Sequence, residues 1–258
     1  MQVWYMNGAG NDFMVIDGRG MDPDHSALAK TACAITGADG FMAVDRSEIA
    51  DFRLHFYNSD GSRGEMCGNG SRCICRFAYD MGLVGEEMTV ETDAGLLHGR
   101  RLDENQYRVA LNTPGVVDLN RKENIAYLEL GNPGVPHAVL EIPSLSWEDK
   151  EALREMAKGL RYDPAFPKGA NVNLYARLDA QNVRILTYER GVEDYTLACG
   201  TGSGSVAAVL WLTGRLSGGR VAIHNPGGIL TFEISGQPDR VESLLMEGPT
   251  EVVRIYDL

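Results

Sequence analysis

The stretches "RLHFY" (Arg53–Tyr57) and "RILTY" (Arg184–Tyr188) mix apolar and polar positions in the manner of half-buried strands, and each runs into a polar turn. A buried helix is predicted after each. From Ser71 the segment "SRCICRFAYDM" carries apolar residues on several faces and stops at Gly82, while from Ser203 "SGSVAAVLWLT" is almost wholly apolar and stops at Gly214. Strand patterns follow both helices: "EMTVET" and "QYRVALN" after the first, "RVAIH" and "LTFEI" after the second. One further helix, "SWEDKEALREMAKGL", opens with a Ser146-to-Asp149 capping box and reads as an amphipathic surface helix.

The two series of elements superpose at a nearly constant offset. Phe52–Asn58 lies over Val183–Glu189 at 131 residues, Cys67 over Cys199 at 132, and Gly95 over Gly228 at 133. A period of that length is a whole domain rather than a solenoid unit. The expectation is therefore an α+β fold of two similar halves, each a mainly antiparallel sheet or barrel wrapped around a central helix. The halves are placed at residues 1–117, carrying Cys67, and 118–258, carrying Cys199, with the last strand able to return to the first half.

Composition narrows the classes of function. A chain of 258 residues with 44% apolar and 23% charged residues is ordinary for a globular protein, and its net charge of −12 argues against a phosphate-backbone partner. No nucleic-acid partner is expected. The N-terminus "MQVWYMNGAG" lacks a basic segment followed by an apolar one, and the most apolar run, "SVAAVLWL", is too short to cross a bilayer, so a cytoplasmic protein without a membrane partner is expected. The cysteines number five, which suits thiols better than a disulfide framework, and the C-x5-C-x-C spacing of Cys67, Cys73 and Cys75 matches no common zinc pattern. No metal site is expected. Cys33, Cys73 and Cys75 read as small buried apolar residues.

That leaves Cys67 in "EMCGNGSRC" and Cys199 in "LACGTGSGS", each directly before a Gly-x-Gly and a helix. A cysteine at a helix start sits beside unpaired N–H groups and the positive end of the helix dipole, which lowers thiol pKa values from about 8.5 into the range of roughly 3.5–7.5. The glycines let several N–H groups converge on one anion, such as a carboxylate. If the halves pack with approximate two-fold symmetry, a bound molecule meets a thiol on each side. One thiolate then removes an α-proton and the opposite thiol delivers one to the other face, with charge on the carboxylate held by both helix starts. No organic cofactor is needed for this. A phosphate site, plain tight-turn geometry and duplicated buried cysteines are the duller alternatives, although "GNGSRC" lacks the third glycine of a dinucleotide fingerprint and "GTGSGS" lacks a P-loop lysine.

With these residues in view, the chain resembles the diaminopimelate epimerase family, part of a cofactor-independent racemase superfamily that includes proline racemase. The resemblance runs the whole length, through "GAGNDF" (Gly8–Phe13), "GADGF" (Gly37–Phe41), "YNSDGSRGEMCGNGSRC" (Tyr57–Cys73), "GVPHAV" (Gly134–Val139), "GANVN" (Gly169–Asn173), "YERGVEDYTLACGTG" (Tyr188–Gly202) and a closing "GPTEVV". It implies an isomerase that converts LL- to meso-diaminopimelate on the way to lysine, with neither pyridoxal phosphate nor metal. It also implies roles. Cys67 and Cys199 are the acid–base pair, N–H groups of Gly68, Asn69, Gly200 and Thr201 cradle the α-carboxylate, and Glu189 binds the reacting α-amino group. Asn11, Asn58, Asn171 and Arg190 contact the substrate, the last three chiefly at its far end, and His137 lies near the pocket. Without the family, Asn58 reads equally as a turn residue, Asn171 as a strand-end cap, Arg190 as a surface ion pair and His137 as structural.

The chain departs from the family pattern at one place, reading Gly134-Val135-Pro136-His137 where many members have Gly-Asn-Pro-His. Substrate identity is what this opens. A racemase for another amino acid, such as histidine, is the nearest alternative, and an idle amino-acid- or nucleotide-binding protein is the alternative from another class. The assembly is left open between a monomer and a homodimer.

Overall fold

The computed structural model describes residues 2–22, 24–64 and 67–257. Glu65 and Met66, the two residues ahead of Cys67 in its motif, lie outside the described residues. The chain falls into two compact units, the first comprising residues 1–110 and 247–258, the second residues 111–246.

In the first unit, β1 (Gln2–Gly8) and β2 (Asn11–Asp17) form a hairpin, and α1 (Ser26–Thr36) crosses over to β3 (Gly40–Asp45), which pairs with β2 in parallel. Next, β4 (Phe52–Asn58) runs antiparallel to β3 and to the short β5 (Arg63–Gly64). Helix α2 (Gly68–Asp80) is the crossover from β4 to its parallel partner β6 (Glu87–Thr92), and β7 (Gly95–Arg101) and β8 (Gln106–Ala110) continue as an antiparallel meander.

The second unit repeats this order. After β9 (Pro114–Lys122), β10 (Ile125–Gly131) and β11 (Gly134–Glu141) form the hairpin. Helix α3 (Lys150–Arg161) crosses to β12 (Asn171–Arg177), parallel to β11; β13 (Asn182–Glu189) runs antiparallel to β12 and to the short β14 (Asp194–Tyr195). Helix α4 (Gly200–Leu212) crosses from β13 to its parallel partner β15 (Arg220–Asn225), and β16 (Gly228–Gln237) pairs antiparallel with β15. Then β17 (Arg240–Pro249) leads into β18 (Glu251–Asp257), which lies within the first unit and pairs antiparallel with β1. The duplicated pattern of the sequence is thus a duplicated topology. The sheet is mainly antiparallel, as expected, and the two parallel pairings in each unit are the ones bridged by helices.

Sequence chemistry explains where the helices lie. Helices α2 and α4 end identically: Gly82 and Gly214 adopt φ of +67°, and the chain folds back through Leu83 N–H to Ala78 O and Arg215 N–H to Leu210 O. This αL glycine with its paired 6→1 and 5→2 bonds satisfies the last carbonyls. Their beginnings are earlier than the apolar pattern suggests, at Gly68 and Gly200 rather than Ser71 and Ser203. The Gly-x-Gly segments are the first helical turns themselves. Glycine disfavours helix by about 1 kcal/mol, but burial of these turns overrides so small a preference. Helix α2 buries Cys73, Ile74, Cys75, Phe77 and Ala78, with Phe77 edge-on to Trp4 at 5.1 Å between ring centroids. In α4 the buried run is Val206–Leu210, and Gly204 admits Leu111, Leu244 and Phe232 against the helix backbone. Helix α3 follows a short 3₁₀ turn at Trp147–Asp149 that carries the anticipated Ser146–Asp149 capping box, and it buries Ala157 and Leu160 in the second unit's core.

Candidate active site

Cys67 is the N-cap of α2, in extended conformation (φ −129°, ψ 121°), and its carbonyl accepts hydrogen bonds from Ser71 N–H at 2.7 Å and Ser71 Oγ at 2.8 Å. The first N–H groups of a helix have no acceptor within the helix, which makes such a start a place for an anion. Asn69, 2% exposed, donates through Nδ2 to Asn11 Oδ1 at 2.6 Å and accepts at Oδ1 from Arg72 Nη2 at 3.1 Å. Asn11 in turn donates to Asp39 at 3.2 Å. Asn11 reaches this position because the hairpin turn before it is tight: Ala9 and Gly10 have φ of +56° and +91°, the two positive values of a type I′ turn. Gly8 has a separate reason, since a Cβ there would press to 2.9 Å on Asn69 O and Cys73 Sγ. Asn58 ends β4, exposed, with Nδ2 donating to Ser62 Oγ at 3.0 Å, so it is a turn residue as well as a candidate contact.

In the second unit Cys199 occupies the matching place, N-cap of α4 with φ −120° and ψ 110°. Its Sγ accepts from Gly202 N–H at 3.3 Å and lies 3.5 Å from Thr201 Oγ1. Glu189, at the end of β13, accepts from Thr196 Oγ1 at 2.9 Å. Asn171 is buried and bridges two segments, with Oδ1 accepting from Arg190 N–H at 2.8 Å and Nδ2 donating to Pro136 O at 3.2 Å. Arg190 is exposed, and its Nη1 donates to Lys168 O at 3.0 Å. Val135 is 39% exposed beside Leu130, and the upstream "GNP" is the turn between β10 and β11, closed by the Gly131–Gly134 pair.

His137 is fully buried, and burial first, then the charge of Arg190, pulls its pKa down to about 3. The ring is neutral, and Asn173 is the side chain that bears on its tautomer. The Asn173 amide nitrogen, with two hydrogens, lies within reach of His137 Nδ1 at 3.2 Å, Ala138 O and Asn171 O, and because it cannot accept, any hydrogen bond to the ring needs Nδ1 unprotonated. A ring bonded to Asn173 in this way carries its proton on Nε2, which has no hydrogen-bond partner among the described residues. A buried donor of that kind awaits an acceptor. Asn173 Oδ1 accepts from Thr187 Oγ1 at 3.0 Å and packs against Gly202. Sequence reasoning passed over Asn173, Thr187 and Arg72, although two of them lie inside quoted motifs. The roles of Asn173 and Thr187 depend on contacts between strands, and that of Arg72 on its burial, none of which local pattern reports.

The other three cysteines are buried, Cys33 on α1 and Cys73 and Cys75 on α2. Burial pushes the Cys33 thiol up to about 11 and those of Cys73 and Cys75 up to about 12. They are packing residues. Among the described residues no group of three or more His, Cys, Asp or Glu is gathered so as to hold a metal ion, and no helix is long and apolar enough to cross a membrane.

Comparison with known proteins bears on what this arrangement does. A family model described as diaminopimelate epimerase matches residues 3–117 and 130–253. A diaminopimelate epimerase of Archaeoglobus fulgidus is 36% identical over 252 residues, covering 89% of this chain and 88% of its own. That of Campylobacter jejuni is 36% identical over 251 residues (96% and 95% covered), and that of Flavobacterium psychrophilum 33% over 259 (98% of each). Among solved structures, a Bacillus anthracis phenazine biosynthesis protein of the PhzF family shares the fold with a TM-score of 0.79 at 14% identity, covering 100% of this chain and 98% of that one. A hydroxyproline epimerase of Agrobacterium vitis does so at 0.69 and 15% identity, with 100% and 90% covered.

Proposed function

Because the chain belongs to the diaminopimelate epimerase family, we propose that it is an isomerase interconverting LL- and meso-diaminopimelate, with Cys67 and Cys199 as paired acid and base. The observation that carries this is the equivalence of the two cysteines: each is the extended N-cap of a glycine-opened, buried helix at the same step of a repeated topology. Two such groups serve one reaction in which a proton leaves one face of a carbon and another arrives at the opposite face.

In this reading the half with Cys67 (residues 1–117) and the half with Cys199 (residues 118–258) each supply one thiol and one helix start. The N–H groups of Gly68, Asn69, Gly200 and Thr201 hold the α-carboxylate, where negative charge develops as the α-proton leaves, and the helix dipoles stabilise that charge without reorganising. Glu189 takes the reacting α-ammonium group. Asn11, Asn58, Asn171 and Arg190 bind the rest of the substrate, Arg190 through a bidentate pair with the distal carboxylate. His137 contributes its Nε2–H as a neutral donor. The enzyme acts in the cytoplasm on an amino acid bound for lysine synthesis, and a homodimer is compatible with this.

Val135 favours a second reading, in which the same chemistry serves another amino acid such as histidine. Deuterium wash-in separates the two. Incubated in heavy water with a panel of amino acids, the enzyme should place deuterium at the α-carbon of diaminopimelate fastest. Wash-in to histidine alone would move the substrate and keep the mechanism, and no wash-in to any amino acid would sink both.

A further inference from the structure

The two half-sites are alike in geometry and unlike in charge. Arg72 lies on α2 five residues after Cys67, and at the 132-residue offset of the repeat its counterpart is Gly204. Its side chain is 0% exposed and folds back along the helix towards the start, with Nη1 reaching Gly68 O at 3.4 Å and Nη2 reaching Asn69 Oδ1 at 3.1 Å. Those are the two residues that follow Cys67. A guanidinium is therefore held under the first turn of α2, adding a full positive charge to the partial charge that every helix start carries. At Gly204 the corresponding space is filled by Leu111, Leu244 and Phe232.

A second difference acts in the same sense. At the 131-residue offset, neutral Asn58 of the first half corresponds to Glu189 of the second, so the half with the buried cation lacks the carboxylate and the half with the carboxylate lacks the cation. The contacts of Cys199, whose Sγ accepts from Gly202 N–H at 3.3 Å and lies 3.5 Å from Thr201 Oγ1, favour a thiolate there and so oppose this difference, but they are neutral dipoles set against the full charge of a buried guanidinium.

We propose that Arg72 is a positioning residue that biases the pair, so that Cys67 carries the resting thiolate and Cys199 the resting thiol. This rests on the acid–base reading of the two cysteines. Burial draws the Arg72 guanidinium down to about 10, which leaves it charged at neutral pH. Other charged groups lie around each helix. Asp12, on β2, accepts from Tyr5 at 2.9 Å and Asn7 at 2.7 Å and Asp39 from Asn11, all neutral donors, so these carboxylates oppose the bias but stand nearer the exposed hairpin than the buried guanidinium does, and Asp80 on α2 pairs with Arg76. Arg76 is engaged at Asn105 and Thr250, Arg101 lies over Tyr79 at the far end of α2, and Arg108 pairs with Glu247. Around α4, His137 is neutral, the Glu141–Arg215 pair involves a residue beyond the helix's C-terminal end, and Glu129 is paired with Lys168. Arg190 opposes the bias, but it is exposed and screened, whereas Arg72 is buried. Arg72 also fixes the Asn69 amide so that Nδ2 faces Asn11, which ties the thiolate's surroundings to two candidate substrate contacts.

The test is alkylation of the whole protein by iodoacetamide without substrate, followed peptide by peptide by mass spectrometry across the pH range in which thiols titrate. Midpoints rather than absolute rates are compared, because Cys199 is the more buried thiol. Cys67 should ionise about one pH unit or more below Cys199. Arg72→Met should raise the Cys67 midpoint to that of Cys199 or above, and Arg72→Lys should keep the original order. The proposal is overturned if Cys199 ionises first in the unaltered protein, or if the order survives Arg72→Met in folded protein. Should Arg72→Met fail to fold, the unaltered protein and Arg72→Lys still decide it. No turnover is involved, so an error in the substrate leaves this result intact, while a preserved thiol order without deuterium wash-in counts against the function alone.

Discussion

Replacing Gly202 with alanine pits two effects of known size against each other. In an ordinary helix the change would stabilise by up to about 1 kcal/mol, because glycine loses more backbone entropy on folding. Here the added Cβ would meet Asn173 Oδ1 closer than real Cβ atoms come, with Thr187 Oγ1 at 3.1 Å and Cys199 Cβ at 3.2 Å. None of these can give way easily. Asn173 is 0% exposed and is held by Thr187, Ala138 O, Asn171 O and His137. Overpacking costs about 1–3 kcal/mol, and each buried hydrogen bond broken by the shift adds roughly 1 kcal/mol. The net expectation is destabilisation by about 2–4 kcal/mol, opposite in sign to the helix preference. Turnover should fall about a hundredfold, since a displacement near 1 Å in a catalytic turn has that effect. Denaturant unfolding and deuterium wash-in measure the two losses. Gly85→Ala, where nothing lies within 4 Å, is the control and should change neither. Trimming the obstacle with Asn173→Ser in the Gly202→Ala background should return part of the stability. Unchanged stability and turnover in Gly202→Ala would show that Asn173 does not fix the Cys199 turn.

Cys67→Ala and Cys199→Ala should each reduce epimerisation, read as interconversion of the LL and meso forms, to a few per cent or less at unchanged melting temperature, because each removes the proton carrier for one face; Cys33→Ala, in the packing around α1, should leave epimerisation intact. Acidification should destabilise the protein through His137, whose folded pKa of about 3 lies below the unfolded value of 6.5. Between those values the unfolded chain binds the extra proton, so stability falls as pH drops, by about 2.5 kcal/mol from pH 6.5 to roughly 4.5; denaturation of His137→Gln at the two pH values should lack that part of the slope. Diaminopimelate should be the best substrate in a panel with lysine, histidine, glutamate and proline, and Arg190→Ala should weaken its use by about 2–3 kcal/mol in kcat/KM, the worth of a charge-assisted bidentate contact. Faster turnover of histidine or lysine would instead direct attention to Val135.

The repeat was legible because it is written in two independent alphabets, apolar pattern and glycine placement, and both survive duplication. Strands β4, β6 and β15 match their patterns closely, and Gly82 and Gly214 mark the helix ends because an αL residue is needed there and glycine supplies it without strain. The helix starts misled, for a physical reason: "GNG" and "GTG" carry turn-like local preferences, and only tertiary burial makes them helical. Asn173 and Thr187 were invisible for another reason. A buried polar residue declares itself through its partners, and those partners come from separate segments: Asn173 on β12 meets His137 on β11 and Thr187 on β13. What the sequence does hold, once the topology fixes the alignment, is the set of places where the copies disagree. The cysteines, the extended N-caps and the αL glycines are common to both halves, as the proposed acid–base pair needs; Arg72 against Gly204 and Asn58 against Glu189 break that symmetry. Two identical environments would populate both thiolate–thiol microstates equally, and such a break selects which thiol is charged before substrate arrives.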